Sequence, residues 1–182
     1  KSYVGRPEGD WARGMAINQL GNGLAFASHH EGALSVRRAE LAMLQRLDAP
    51  EHEILIAQSN ISNTYHSLGR HEENMHIRRV VHWGFSTLLG EEHELTLHTA
   101  TCYATTLTKL KHFEESRSLM RKMIPVSRRV LGEVHRITLT TRYCYGEALY
   151  TNPGATLDDL REAVATLEDT ERTVRRVFGN TH

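Results

Sequence analysis

Twelve histidines, two cysteines and a recurring set of arginine pairs are the residues of this 182-residue chain with the most evident chemical capacity. Histidine and thiolate hold zinc where several converge, and on a helix two ligands share a face only at a spacing of three or four. The histidines stand at positions 29, 30, 52, 66, 71, 76, 82, 93, 98, 112, 135 and 182, and no two of them are three or four apart. Cys102 and Cys144 are 144 − 102 = 42 residues apart, at matching places in two similar segments. If those segments are stacked helices, their axes lie about 8–10 Å apart, whereas a disulfide needs Cα atoms within about 7 Å. Both cysteines are therefore expected to be buried, reduced thiols that, without a histidine partner, form no metal site. No glycine-rich phosphate loop, HExxH, nucleophile elbow or paired-carboxylate motif occurs. The expectation is a protein that is not an enzyme and uses no metal or cofactor.

The arginine pairs Arg37-Arg38, Arg78-Arg79, Arg128-Arg129 and Arg175-Arg176 could form a ridge for phosphate or carboxylate. Acids are interleaved throughout, and 22 basic residues balance 22 acidic ones. There is thus no global field to favour nucleic acid or an anionic membrane, and the pairs read as solvated helix faces. Two of them precede a helix end, where positive charge complements the helix dipole. No apolar run is long enough to span a bilayer, and the N-terminus lacks a signal-peptide pattern. Four prolines and 7% aromatics fit a helical protein inside the cell, with the cytoplasm as the expected compartment. The chain begins at Lys1 rather than Met, as a piece of a longer polypeptide would.

What positions these residues is a repeat. Leu89-Gly90-x-x-His93 returns as Leu131-Gly132-x-x-His135 and, altered, as Phe178-Gly179-x-x-His182. The intervals are 135 − 93 = 42 and 182 − 135 = 47, a period that marks a solenoid or array. The five-residue excess is the turn-rich insertion Thr151-Asn152-Pro153-Gly154-Ala155. In register, each unit reads as two amphipathic helices. First helices are predicted near 10–26, 53–68, 94–110 and 136–150, and second helices near 29–47, 71–89, 112–131 and 158–178. Leu97, Ala100, Tyr103, Ala104 and Leu107 form one helical stripe. Gly69, Gly90, Gly132 and Gly179 each follow a periodic segment, as helix stops do. Thr156-x-x-Asp159 resembles a capping box. His93 and His135 read as helix-start or interhelix hydrogen-bonding groups. Pro125 is predicted to kink or break its helix near residues 121–124.

These residues resemble a tetratricopeptide (TPR) array of the kinesin light chain type. The junction motif, the second-helix starts His71-Glu72-Glu73 and His112-Phe113-Glu114-Glu115, and the signatures Leu20-Gly21-x-x-Leu24, Ile61-Ser62-x-x-Tyr65, Tyr103-Ala104-x-x-Leu107 and Tyr145-Gly146-x-x-Leu149 carry the resemblance. It covers nearly all of the chain after Asp10. Departures are Glu94 and Arg136 in place of the usual proline, and Lys111 in place of a turn glycine. The resemblance implies an all-α, right-handed superhelical solenoid of antiparallel helix pairs. It would be one domain over 1–182 with pairs near 10–47, 51–90, 93–132 and 135–179, and with first helices lining a concave side. Each pair cannot bury its stripe alone, so neighbours must stack.

By register the concave positions are Asn18, Asn22 and Phe26, with Met15, on the first helix; Asn63 and His66, with Ser59, and Asn60 at the edge, on the second; His98, Thr101, Thr105 and Lys109 on the third; and Tyr143 and Glu147, with Thr140 and Tyr150, on the fourth. Asparagine donates and accepts at once, so it can hold a peptide backbone whatever its side chains. The carboxylate clamp of chaperone-binding TPR domains does not fit: Asn22 and Asn60 match, but Asn18, His98 and Cys102 stand where basic residues belong. The function expected is capture of a peptide or protein segment, of unspecified identity, in the groove. The rival is a structural subunit packed through convex and end surfaces, for which Trp83 and Phe85 on a second helix would be the contacts. No nucleic acid partner and no membrane insertion are expected. The last second helix, with Leu160, Ala163, Val164, Leu167, Val174 and Val177, is expected to pack part of that stripe on further repeats or on a partner subunit.

Overall fold

A computed structural model describes residues 11–179. Among the described residues there are eight helices and no strand: α1 Trp11–Phe26, α2 His30–Arg46, α3 Glu51–Ser67, α4 His71–Leu89, α5 Glu94–Lys109, α6 Phe113–Leu131, α7 Arg136–Tyr150 and α8 Leu157–Phe178. The fold is all-α, and every bound lies within two residues of the 42-residue register. The predicted start at residue 10 and the third junction histidine, His182, lie outside the described residues. The described residues form two compact units, one ending at Gly84 and the other beginning at Phe85.

The turns show why the helices end where they do. Ser28, Gly69 and Lys111 close the first helices with positive φ, and Asp48, Gly90, Gly132 and Gly179 do the same after the second helices. A left-handed residue lets the chain leave the helix while its amide still reaches a carbonyl of the last turn. His112 N bonds Leu107 O at 2.8 Å, and Arg70 N bonds Tyr65 O at 2.9 Å. Lys111, at φ 64°, keeps the turn geometry that glycine gives its neighbour repeat. The departure is thus one of residue type alone.

Helix starts are equally local. His93 and His135 are N-caps: each Nδ1 accepts from the amide two residues on, Leu95 N at 3.2 Å and Ile137 N at 3.3 Å. Thr156 and Asp159 form a reciprocal capping box. Pro125, however, does not break its helix, since α6 is continuous from Phe113 to Leu131. A proline forfeits one backbone bond, and packing of Met120, Met123 and Ile124 before it and of Val126 and Leu131 after it holds the helix across that gap.

In the first unit Leu34, Ile61 and Tyr65 form a core cluster, with Leu41, Leu68 and Ile77 against it. In the second unit one cluster joins Ala104, Met120, Cys144, Tyr145, Leu149 and Ala163, and another joins Leu97, Ala100, Met123 and Ile137. Gly146 sets how closely α7 and α8 approach: a Cβ there would lie 2.7 Å from Leu167 Cγ. Phe85 belongs to the core at 2% exposure, whereas Trp83 is 75% exposed. The expectation that both face outward fails for Phe85. It continues the buried stripe Asn74, Val81, Phe85, and Trp83, two residues earlier, points away from that stripe.

Candidate functional site

The expected groove residues divide by unit and by what their polar atoms already do. In the first unit, Asn18 and Asn22 are one turn apart on α1. Asn22 Nδ2 donates to Asn18 Oδ1 at 3.0 Å, and Asn18 Nδ2 donates to Glu40 Oε1 at 3.2 Å. Arg37 Nη2 donates to Asn22 Oδ1 at 3.0 Å, and its Nη1 donates to the Asn60 carbonyl at 2.8 Å and to Thr64 Oγ1. The result is a relay from Arg37 through Asn22 and Asn18 to Glu40 that knits α1, α2 and α3. Arg37 and Glu40 are both buried at 7% exposure. Burial raises the Glu40 carboxyl above its ordinary range, against the opposing pull of Asn18 and Arg37, and burial likewise lowers the Arg37 guanidinium. The side chains of Asn18 and Asn22 therefore hold helices together here, whereas Asn60 takes part only through its backbone carbonyl. Asn63 is exposed, with its Oδ1 3.4 Å from Arg78 Nη2. His66 is half-buried with its ring 6.0 Å from that of His71. Phe26 is 94% exposed.

In the second unit α5 and α7 are neighbours, and threonines make their seam. Thr101 is buried and its hydroxyl meets Thr141 Oγ1 at 2.7 Å, so it is not presented at a surface. Small branched side chains that return their hydroxyls to the carbonyl one turn back let two helices approach without an orphaned polar atom. Thr101 does so to Leu97 O, and Thr141 to Ile137 O. Thr105, half-buried, contacts Cys144 Sγ at 3.3 Å.

The two cysteines differ. Cys144 is buried and burial pushes its thiol up, away from thiolate chemistry. Cys102 is only half-buried, contrary to expectation, and it does have a histidine neighbour: His98 Nε2 lies 3.8 Å from its Sγ, one turn earlier on α5. The histidine-to-histidine spacing test could not find a His-to-Cys pair. Among the described residues no group of three or more His, Cys, Asp or Glu could hold a metal ion.

What remains open on α7 is an aromatic strip. Tyr143 is 51% and Tyr150 47% exposed, with Glu147 half-buried between them. The spacings of four and three place all three on one helix face. Partial burial and the nearby charges of Glu147 and Tyr143 raise the Tyr150 hydroxyl above its ordinary value. Lys109 is exposed at the end of α5.

Sequence reading did not single out the ion networks between α6, α7 and α8. Arg121 Nε donates to Tyr145 Oη at 2.7 Å, Tyr145 Oη donates to Glu162 at 2.7 Å, and Arg121 Nη2 bonds Glu162 at 3.0 Å. Arg142, 3% exposed, bonds Asp169. A signal was present: Arg142 stands in the stripe Ile137, Thr138, Thr141, Arg142, Tyr145, Leu149, which otherwise reads as core-facing. Only one of the four arginine pairs, through Arg37, enters the interior.

Comparison with known proteins agrees with this geometry. Residues 96–137 match the tetratricopeptide repeat family, a span of 42 residues starting just inside α5. In fold, the chain resembles the TPR-like repeats of kinesin light chains. Two crystal structures of putative kinesin light chain nearly identical TPR-like repeats from Podosopora anserina superpose with TM-scores of 0.79 and 0.77, each at 17% identity, covering 96% and 95% of this chain and 80% of those chains. BtubC (BKLC) from P. vanneervenii follows at TM-score 0.65 and 14% identity, covering 91% of this chain and 81% of that one. No curated protein matches the sequence. The TPR-like pairs carry no helix among the described residues long and apolar enough to cross a membrane.

Proposed function

We propose that the chain is a non-enzymatic protein-interaction module that captures an extended peptide or protein segment on the exposed faces of first helices, with the α5–α7 face of the second unit as the main contact. The observation that carries this reading is the exposed Tyr143–Glu147–Tyr150 strip on α7. Tyrosine supplies rigid contact area and a hydroxyl at low entropic cost, which is why it concentrates in recognition surfaces. Lys109, one repeat earlier in register, adds a positive charge to the α5 end of that face. Within the same unit His98 contributes at its exposed edge; the first unit offers Phe26, Asn60, Asn63 and His66 of its own, while Asn18 and Asn22 serve by holding its helices in place.

A second reading has its own support. Trp83, at 75% exposure on α4, and the exposed Leu157, Leu160, Val164, Val174 and Val177 of α8 are the apolar surface a permanent assembly subunit would bury. In that case the α8 face packs on further repeats or on a partner subunit.

Affinity capture from cell extract, read by mass spectrometry, separates the two. We expect Tyr143→Ala/Tyr150→Ala to lose the partner set and Trp83→Ala to retain it. Loss with Trp83→Ala alone would give the assembly reading the case.

A further inference from the structure

The cleft among α6, α7 and α8 has a volume of about 390 Å³ and is lined by Arg121, Arg128, Arg142, Tyr145, Glu162 and Asp169, with an apolar wall from Ile124, Pro125 and Ala165. We propose that it binds a carboxylate through Arg142. A guanidinium at 3% exposure has lost its water and needs acceptors in fixed places. Arg142 Nη2 is satisfied by Asp169, but Nη1 has no hydrogen bond. The Glu133 carboxylate stands 3.6 Å from it, past bonding reach, and is drawn instead to Arg128 Nε at 2.9 Å. Arg128 in turn lies 3.9 Å from Asp169. These four side chains make a ring of alternating charge with one open corner, and that corner is the buried donor.

The charge on the walls chooses the ligand. Arg121, Arg128 and Arg142 are matched by Glu162, Glu133 and Asp169, so the site has no surplus charge and favours the ligand that adds the least. One planar carboxylate adds a single negative charge and matches the geometry of a guanidinium edge. A phosphate dianion would place surplus negative charge beside Glu133, Glu162 and Asp169. The apolar wall suits the carbon body of an organic acid or of a peptide's last residue. The site uses neither Tyr143 nor Tyr150, so it stands apart from the proposed peptide strip.

The test is a nuclear magnetic resonance titration of the full chain, isotope-labelled at arginine side chains and backbone amides, at constant ionic strength. The probes are sodium benzoate, a short peptide with a free C-terminal carboxylate, and the same peptide amidated. Saturable shifts are expected at the Arg142 guanidinium and along α6–α8 with benzoate and the free-acid peptide, and none with the amide. Whichever of the two acids binds more tightly identifies the source as free acid or chain terminus. Arg142→Lys, which keeps the charge but loses the second donor edge, should weaken binding about tenfold or more. Ala165→Phe, which fills the cleft and leaves every ion pair in place, should do the same, and it carries the test if Arg142→Lys does not fold. Unmoved signals with both acids, equal binding of acid and amide, or full affinity in Ala165→Phe would overturn the proposal. So would a bound water seen at Arg142 Nη1 that persists at the highest benzoate concentration.

Discussion

At the scale of the residue, the buried Arg37–Glu40 relay gives the first unit a pH signature. The folded Glu40 carboxyl is held above its ordinary value by burial, so the folded state binds its proton more readily than the unfolded chain. Ionised at neutral pH, Glu40 costs stability. That cost is relieved as pH falls through the raised folded value, and below the unfolded value both states are protonated and the difference is constant. We expect Glu40→Gln to raise the unfolding midpoint at pH 7, and the gap between variant and wild type to narrow as the pH is lowered through the raised folded value of Glu40. A gap independent of pH in calorimetric scans would contradict this. Arg37→Ala acts in the opposite sense. It strips donors from Asn22, the Asn60 carbonyl and Thr64 and leaves Glu40 without its cationic neighbour, a loss of about 3 kcal/mol or more by denaturant titration.

At the scale of the element, the turns and the helix contacts obey different rules, and substitutions separate them. Gly132 sits at φ 92° and has open space around it. With ψ at 165° it lies in a region essentially reserved to glycine, so Gly132→Ala should cost about 1–3 kcal/mol through backbone conformation alone. Lys111→Gly, at the left-handed position that Gly69 holds one repeat earlier, should be neutral to stabilising by up to about 1 kcal/mol, because relief of the side chain's strain exceeds the extra entropy of glycine. Gly146→Ala is a packing change. Its methyl would meet the branch point of Leu167, so either Leu167 leaves its rotamer or α8 moves, at about 1–3 kcal/mol. Chemical denaturation of the three variants checks the order: Gly146→Ala and Gly132→Ala below wild type, Lys111→Gly at or above it.

At the scale of the whole molecule, the exposed apolar residues of α8 set the solution behaviour. Leu157 is 63% and Val164 55% exposed, with Leu160, Val174 and Val177 also open. A repeat with an uncovered stripe self-associates or frays. Made as residues 1–182, the protein should show concentration-dependent mass by light scattering and fast amide exchange through 158–178. Leu160→Glu/Val164→Glu should return it to a monomer. A monomeric wild type with uniform protection through α8 would count against the expectation.

The division of labour between sequence and tertiary structure follows from the range of the forces involved. The eight helices, their ends and the repeat register are legible in the chain because they rest on neighbours within four residues. The junction motif supplies a left-handed residue and a histidine cap, Thr156 and Asp159 supply a box, and apolar stripes supply the period. Which polar side chains would be free was a different matter. Asn18 and Asn22 occupy positions that register assigns to a groove. Their availability depends on Glu40, which accepts from Asn18, and on Arg37, 15 residues after Asn22, which donates to it from another helix. Thr101 is withheld by Thr141, 40 residues away, and Arg142 gains its meaning only from Asp169 and Glu133 on either side of it in space. Continuity of α6 through Pro125 likewise came from packing rather than from the local rule. A pattern along the chain can place a side chain on a face, but only the packed neighbours decide whether its hydrogen bonds are already spent.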